Sequence, residues 1–355
     1  MFRILTINPG STSTKIGVFK EEKELFVVNI SHSAEALANF SSIIDQEQFR
    51  FDEISQTLLS NNIDIQELSA VVGRGGLLHP MESGTYSVNA KMLADLSSCS
   101  YGAHASNLGA ILAERFAKAA GDIPAFIVDP VVVDELMDIA RIGGRADNPR
   151  RCIFHALNQK AVAKRFAISH HKKYNELNLV VAHLGGGISV GCHLKGRIVD
   201  VNNALDGEGP FSPERAGTMQ AGLFARTIID NKFDKPTVAK MLAGKGGLVS
   251  HLGVNDAREV EKMIKQGDEH ARLVYDAMIY NIAKSIGAYS VAAKGEIDYI
   301  ILTGGIAYSK YLTEKLQEYV EFLAPVIIVP GENELQALCE GTLRVLRGEE
   351  QARTY

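Results

Sequence analysis

Apolar and polar positions at the start of the chain read as a strand, a tight turn and a second strand. Ile4, Leu5 and Ile7 lead into Asn8, Pro9 and Gly10, a hydroxyl run covers Ser11, Thr12, Ser13 and Thr14, and Lys15, Ile16, Val18 and Phe19 resume the extended pattern. Residues 26–30 predict a third strand, and a mostly helical stretch follows as far as Ile63. Residues 70–72 form a short apolar strand that stops abruptly in Gly73, Arg74, Gly75 and Gly76. From Ser106 onward, Leu108, Ile111, Leu112, Arg115 and Phe116 keep helical spacing until Gly121 and Pro124 end it. Residues 125–128 then read as a buried strand closing on Asp129 and Pro130.

The opening layout returns in the second half. Residues 179–183, 188–193 and 197–201 predict three strands separated by the glycine turn 184–187 and a turn at 194–196. Each copy carries a polar residue just before its turn, Asn8 in the first and His183 in the second, and each is followed by helices. Such an internal duplication predicts two similarly folded α/β halves. Further on, residues 270–293 read as a long buried helix, residues 298–302 as a strand running into Thr303, Gly304 and Gly305, and residues 325–329 as a strand ending in Pro330 and Gly331. Leu335, Leu338, Thr342, Val345 and Leu346 define the last helix, with Glu332 and Glu334 at its start, where a helix dipole favours them. RIGGRADNPRR at 141–151 marks the domain boundary, giving one domain over 1–150 and another over 151–334, with 335–355 expected to pack back on the first.

Length supports the division, since 355 residues exceed what one core usually serves. Charge and composition then exclude partners. Apolar residues make up 46% and charged residues 22%, and no segment approaches the roughly 18 uninterrupted apolar residues of a membrane span. A net charge of −5 and the absence of Trp leave neither a basic field nor a stacking platform, so no nucleic acid is expected. Cys99, Cys152, Cys192 and Cys339 are widely spaced and form no metal-like pair, which fits small core residues in a reducing compartment. The first residues lack a signal-peptide pattern, and a cytoplasmic address is expected.

Candidate chemistry gathers at the strand ends. In the first turn Gly10 can take backbone angles closed to other residues, so that amides and hydroxyls converge on an anion beside Lys15; on these residues alone an ordinary polar hairpin is an equal reading. Arg74 sits at a strand end between glycines, where α/β ligand sites lie. His155 opens the helix ALNQKAVAKRFAIS beside amides suited to anions, though taken alone it reads as a satisfied cap residue. Arg141, Arg145 and Arg150 read as a solvated surface.

Several motifs in one order then resemble the acetate and butyrate kinase family, within the sugar kinase, actin and heat-shock ATPase superfamily. NPGSTSTK resembles its first phosphate loop, RRCIFHALNQKA its histidine helix, AHLGGGISV its second phosphate loop and LTGGIAYS its adenosine loop; the proline of NPGSTSTK, the SPERAG segment and the short length look like the butyrate branch. The resemblance implies two duplicated ribonuclease H-like, actin-like ATPase domains flanking a nucleotide cleft. It also implies reversible transfer of the ATP γ-phosphoryl group to butyrate or isobutyrate, giving ADP and an acyl phosphate, with Mg2+ and a homodimer or larger homo-oligomer. Acetate or propionate kinase is the alternative, and an ATP-driven switch of the actin and heat-shock type a more distant one.

By that resemblance Arg74 holds the carboxylate and the transferring group, and His155 and Arg215 stabilise the equatorial oxygens, although Arg215 follows Pro213 more closely than the family's second arginine does. Asp129 orients Arg74 or a magnesium-bound water. Asn8, Ser11, Ser13 and Lys15 serve the phosphates, with Asn8 and Glu334, or its rival Glu332, serving magnesium. His183, Gly185, Gly186, Gly187, Asp256, Arg258, Gly304, Gly305 and Ile306 match nucleotide-binding positions, and His104 matches another family histidine. Gly76, Ala103, Phe154 and Pro213 correspond to the acyl pocket, where small residues at the first two positions free volume for a longer acid.

Overall fold

The computed structural model describes residues Met1–Tyr355. Its strands in chain order are β1 (Arg3–Pro9), β2 (Ser13–Lys20), β3 (Lys23–Ser31), β4 (Ala70–Arg74), β5 (Thr85–Ser87), β6 (Ala125–Val128), β7 (Asn178–Leu184), β8 (Ile188–Leu194), β9 (Arg197–Val201), β10 (Tyr299–Gly304), β11 (Val326–Pro330) and β12 (Arg353–Thr354). They fall into two compact units, one made of Met1–Val133 with Asn333–Tyr355 and the other of Asp134–Glu332. No helix is long and apolar enough to cross a membrane.

The first unit is built on a seven-stranded sheet in the order β12-β5-β6-β4-β1-β2-β3. β1, β2 and β3 pair antiparallel through tight turns, whereas β4 joins β1, and β6 joins β4, in parallel after helical crossovers. Leu5, Ile7, Val71 and Ile127 meet Leu108, Leu112 and Phe116 of the helix Asn107–Ala119 on one face. Val128 points the other way by strand alternation, toward the final helix Glu334–Leu346, whose Gly341 leaves room for it. The Thr85 hydroxyl donates to the Gly341 carbonyl there at 3.0 Å.

A five-stranded sheet in the order β11-β10-β7-β8-β9 forms the second unit. Successive residues of β7 serve opposite cores: Val180 and Ala182 pack with Met278, Ile282 and Ile286 of the helix Glu269–Ser290, while Leu179 and Val181 pack with Val162 and Phe166 of the helix Ala156–Ser169. Burial on both faces explains the near-continuous apolar run in this strand.

Strand for strand, β6-β4-β1-β2-β3 corresponds to β11-β10-β7-β8-β9. The match extends to a local defect, because the register of β2 on β3 shifts between Val18 and Phe19 and that of β8 on β9 between Cys192 and His193. Val18 pairs with Leu5 and Cys192 with Val180, so Asn8 and His183, each three residues further on, hold equivalent positions. The duplication in the pattern is therefore a duplication of backbone.

Two sequence expectations shift. The division between units falls at Val133/Asp134 and Glu332/Asn333, not at 150/151 and 334/335. Residues 134–150 are tied into the second unit by the Met137 N–H to the Val199 carbonyl, by a buried Lys160–Glu135 pair at 2.7 Å, and by Arg150. Arg150 in turn is no solvated surface charge: its guanidinium binds Asp200 at 2.8 Å, Glu208 at 2.6 Å and the carbonyls of Ala140 and Val201. Arg141 is held by Asp134 at 2.5 Å, and only Arg145 of the three is freely exposed, with Asp147 beside it.

Candidate active site

In the first unit β1 and β4 lie side by side, with Ile7 opposite Gly73, so Asn8 and Arg74 emerge together at their carboxyl ends. The final helix brings a carboxylate to both. The Asn8 side-chain amide donates to Glu334 Oε2 at 2.5 Å, Arg74 Nη1 reaches the two Glu334 oxygens at 2.9 and 3.0 Å, and Arg74 Nη1 donates to Asn8 Oδ1 at 3.4 Å. Glu334 thus belongs to this cluster, and Glu332 does not. The opposed charges are half-buried, where such bonds are short and strong.

The first turn is held from beneath by a residue that pattern reading missed. Arg50 is fully buried and donates to the main-chain carbonyls of Ser11 and Ser13, to the Thr14 hydroxyl and to Gln46, with no carboxylate among these partners. Burial pushes its pKa down to about 10. A charged residue within a helical stretch ordinarily reads as solvent-facing, which is why it gave no signal. Ser11 and Lys15 are exposed and Ser13 half-buried. Gly10 corrects an expectation: its φ is not in the left-handed region, and the turn closes instead on the Gly10 N–H to the Ser13 carbonyl at 2.7 Å.

Asp129 corrects another. It sits at the end of β6 with φ +39°, in the left-handed region that Asp tolerates, and is buried. One carboxylate oxygen accepts from the Ser83 hydroxyl at 2.6 Å and the Gly84 N–H at 2.8 Å, and no hydrogen bond joins it to Arg74. Orienting Arg74 falls to Asn8 and Glu334, which leaves Asp129 the other of its two expected roles, toward a magnesium-bound water.

Gly76 does not open an acyl cavity. A Cβ at Gly76 would lie 2.6 Å from the Asn107 Cα and 2.8 Å from Leu96, so the volume is already filled. Asn107, fully buried and also unanticipated, links the segment after Arg74 to the one before His104: its Oδ1 accepts from the Leu77 N–H and its Nδ2 donates to the Gly102 carbonyl, both at 2.9 Å. Ala103 and His104 are exposed, and His104 Nδ1 accepts from the Ser106 N–H.

In the second unit, His155 opens its helix and His183 closes β7, and their rings stack with centroids 3.9 Å apart at 12°. His183 Nε2 lies 3.5 Å from Glu332, so the two rival glutamates divide between the two equivalent positions, Glu334 at Asn8 and Glu332 at His183. At Gly187 of the second turn the Arg215 guanidinium occupies the place a Cβ would take, so a side chain there would push that flexible group aside. That guanidinium lies against the turn and donates to the Ala204 carbonyl at 2.6 Å. Gly304 combines φ +91° with a Cβ position 2.4 Å from the Leu184 carbonyl oxygen, which only glycine satisfies.

A cavity of about 750 Å3 in this unit is lined by Gly186, Pro213, Asp256, Arg258, Gly305 and Ile306, which gathers the glycine loops and the Asp256 pair into one place. Asp256 caps its helix by accepting from the Arg258 N–H, and the Arg258 side chain folds back on it at 2.6 Å. Pro213 therefore stands with the nucleotide candidates, while Phe154 is almost wholly buried. Asn158 and Gln159, buried polar neighbours within the histidine helix, were also missed.

No group of three or more His, Cys, Asp and Glu side chains stands ready to hold a metal directly. With one carboxylate and one amide, Glu334 and Asn8 suit a hard cation that keeps most of its waters or takes phosphate oxygens.

A family model described as the Acetokinase family matches residues 146–333. The chain is 53% identical to Butyrate kinase 1 and 52% identical to Butyrate kinase 2 of Clostridium acetobutylicum, over all of this chain and 100% and 99% of the two relatives. Among solved structures it is similar to an acetate kinase of Porphyromonas gingivalis, with TM-score 0.79 and 20% identity over 97% of this chain and 99% of the other. A propionate kinase of Francisella tularensis matches with TM-score 0.75 and 18% identity over 96% and 99%. At those identities the structural likenesses speak to the fold alone, two duplicated α/β units. Matches of this extent at sequence level show that the chain belongs to the acetokinase family.

Proposed function

We propose that the protein transfers the γ-phosphoryl group of ATP, reversibly, to a short-chain carboxylate, giving ADP and an acyl phosphate, and that butyrate or isobutyrate is its preferred acid. The observation that carries the reading is the Arg74 guanidinium, fixed at a strand end by Asn8 and Glu334. A carboxylate acceptor is already ionised near neutral pH and needs no base. Asp129, the candidate that a sugar hydroxyl would require, has one oxygen already taken by Ser83 and Gly84. What the reaction does need is neutralisation of an anion approaching a polyanion, a task for positioned donors.

Arg74 binds the carboxylate and the transferring phosphoryl group. Arg215 and His155 donate to the equatorial oxygens, and the cavity lined by Asp256, Gly305 and Ile306 takes the nucleoside. Asn8, Ser11, Ser13 and Lys15 serve the phosphates. Asn8 and Glu334 would hold Mg2+, which when bound would supply charge neutralisation at the phosphates. Preference for a four-carbon acid is supported by the names of the two Clostridium relatives and by the motif likeness, not by an enlarged pocket at Gly76. The expected setting is a cytoplasmic homodimer or larger homo-oligomer. Release of ADP from ATP, followed with and without added butyrate, tests the class of reaction. Turnover that rises only with the acid supports it, and turnover indifferent to the acid overturns it.

A further inference from the structure

Asn158 and Gln159 are adjacent amides, each anchored by a main-chain carbonyl that can only accept. Gln159 Nε2 donates to the Ser189 carbonyl at 3.1 Å and to the Ser189 hydroxyl at 2.9 Å. Its oxygen must then face His193 Nε2 at 3.0 Å, so that nitrogen carries a proton. His193 is fully buried, and desolvation, with the Lys160 charge adding to it, holds its pKa well below the usual value; its bare Nδ1 accepts from the Tyr174 hydroxyl at 2.8 Å.

The chain of forced directions continues toward the site. Ser189 Oγ receives the Gln159 amide and, at 3.4 Å, the His155 main-chain N–H, which occupies both lone pairs. Its own proton is directed to His155 Nδ1 at 2.9 Å, and the ring proton of neutral His155 therefore sits on Nε2. Asn158 does the opposite next door. Its amide donates to the carbonyls of Glu332 at 2.9 Å and Gly331 at 3.5 Å, so its oxygen faces His183 Nδ1 at 2.9 Å and keeps the proton there.

We propose that Asn158, Gln159 and Ser189 are positioning residues that lock the stacked His155 and His183 in opposite tautomers, His155 protonated on Nε2 and His183 on Nδ1. The lock gives His155 a neutral N–H donor for a phosphoryl oxygen. It also leaves Nε2 as the His183 nitrogen that faces Glu332. The donor role rests on the phosphoryl-transfer reading above, whereas the tautomers rest on the hydrogen bonds alone.

Long-range proton–nitrogen correlation spectra of the full chain, labelled in its 10 histidines, read the tautomers directly; His155→Gln and His183→Gln assign the signals. At about pH 8, where an ordinary histidine is neutral, the bare nitrogen should be Nδ1 in His155 and Nε2 in His183. A bare Nε2 in His155 overturns the proposal. Ser189→Ala should then lower kcat about tenfold, one hydrogen bond's worth, with KM for ATP and acid nearly unchanged, and Ser189→Thr should recover most of the loss. Full kcat in Ser189→Ala overturns the positioning role. Full activity in His155→Gln beside the expected spectrum would overturn the catalytic use of His155 and leave the lock standing.

Discussion

The Asn8 amide donates to the Glu334 carboxylate at 2.5 Å although 326 positions separate the two in the chain. The final helix thus completes a site begun by the first strand, and Arg74 takes its orientation from both residues. Glu334→Gln keeps the shape and removes the charge. Hydrogen bonds to a charged partner contribute about 1.5–3 kcal/mol, so kcat/KM for the acid should fall about ten- to a hundredfold. Steady-state kinetics checks this, with Glu332→Gln as the control that leaves the Arg74 cluster intact and changes the acid's kcat/KM far less.

Gly76 is a packing position. Gly76→Val would drive a side chain into Asn107 and Leu96, and overpacking of this kind destabilises by about 1–3 kcal/mol. The expected outcome is a lowered Tm and reduced activity on every acid tried. A retained Tm with a new preference for acetate would restore Gly76 as a determinant of chain length.

Stability should fall on mild acidification because of His32. Burial, with the nearby Arg50 guanidinium adding to it, pushes its pKa down to about 4, and its Nδ1 has no partner. An unfolded histidine titrates near 6.5, so between about 6.5 and 4 the unfolded chain binds a proton that the folded one refuses. The contribution is complete above the upper value and lost as pH drops through that window. Urea midpoints at a series of pH values should therefore decline from neutrality toward pH 4, and the decline should be shallower in His32→Gln.

Gly187 and Arg215 act as a unit, since a Cβ at Gly187 would overlap the guanidinium. Gly187→Ala should displace Arg215 and reproduce much of the kcat loss of Arg215→Ala, and the double variant should be little worse than either. Costs that add in full would show that the two positions work independently.

The duplicated strands were legible because period-two alternation and glycine turns are local, and the positions of Asn8 and His183 followed from them. Arg74 and the loop glycines were legible as strand-end positions and Glu334 as a helix-start acid, whereas their roles came only through resemblance to the family. What escaped was tertiary. Arg50, Asn107 and Gln159 are polar residues wholly buried by partners distant in sequence, and nothing in their neighbours distinguishes them from surface positions. The unit boundary was misjudged for a similar reason, because Arg150 and its neighbours looked solvated until Asp200 and Glu208 were brought beside them. Gly76 looked like freed volume because a sequence records the missing side chain and not the backbone that fills its place.

Carboxylate phosphorylation itself is tested most directly by incubating the protein with ATP and a panel of acids, from acetate through butyrate and isobutyrate, in the presence of hydroxylamine to trap acyl phosphate as hydroxamate. Hydroxamate should form at a rate matching ADP release, fastest with butyrate or isobutyrate and much slower with acetate. No hydroxamate with any acid would contradict carboxylate kinase activity, and acetate as the best substrate would contradict the proposed preference.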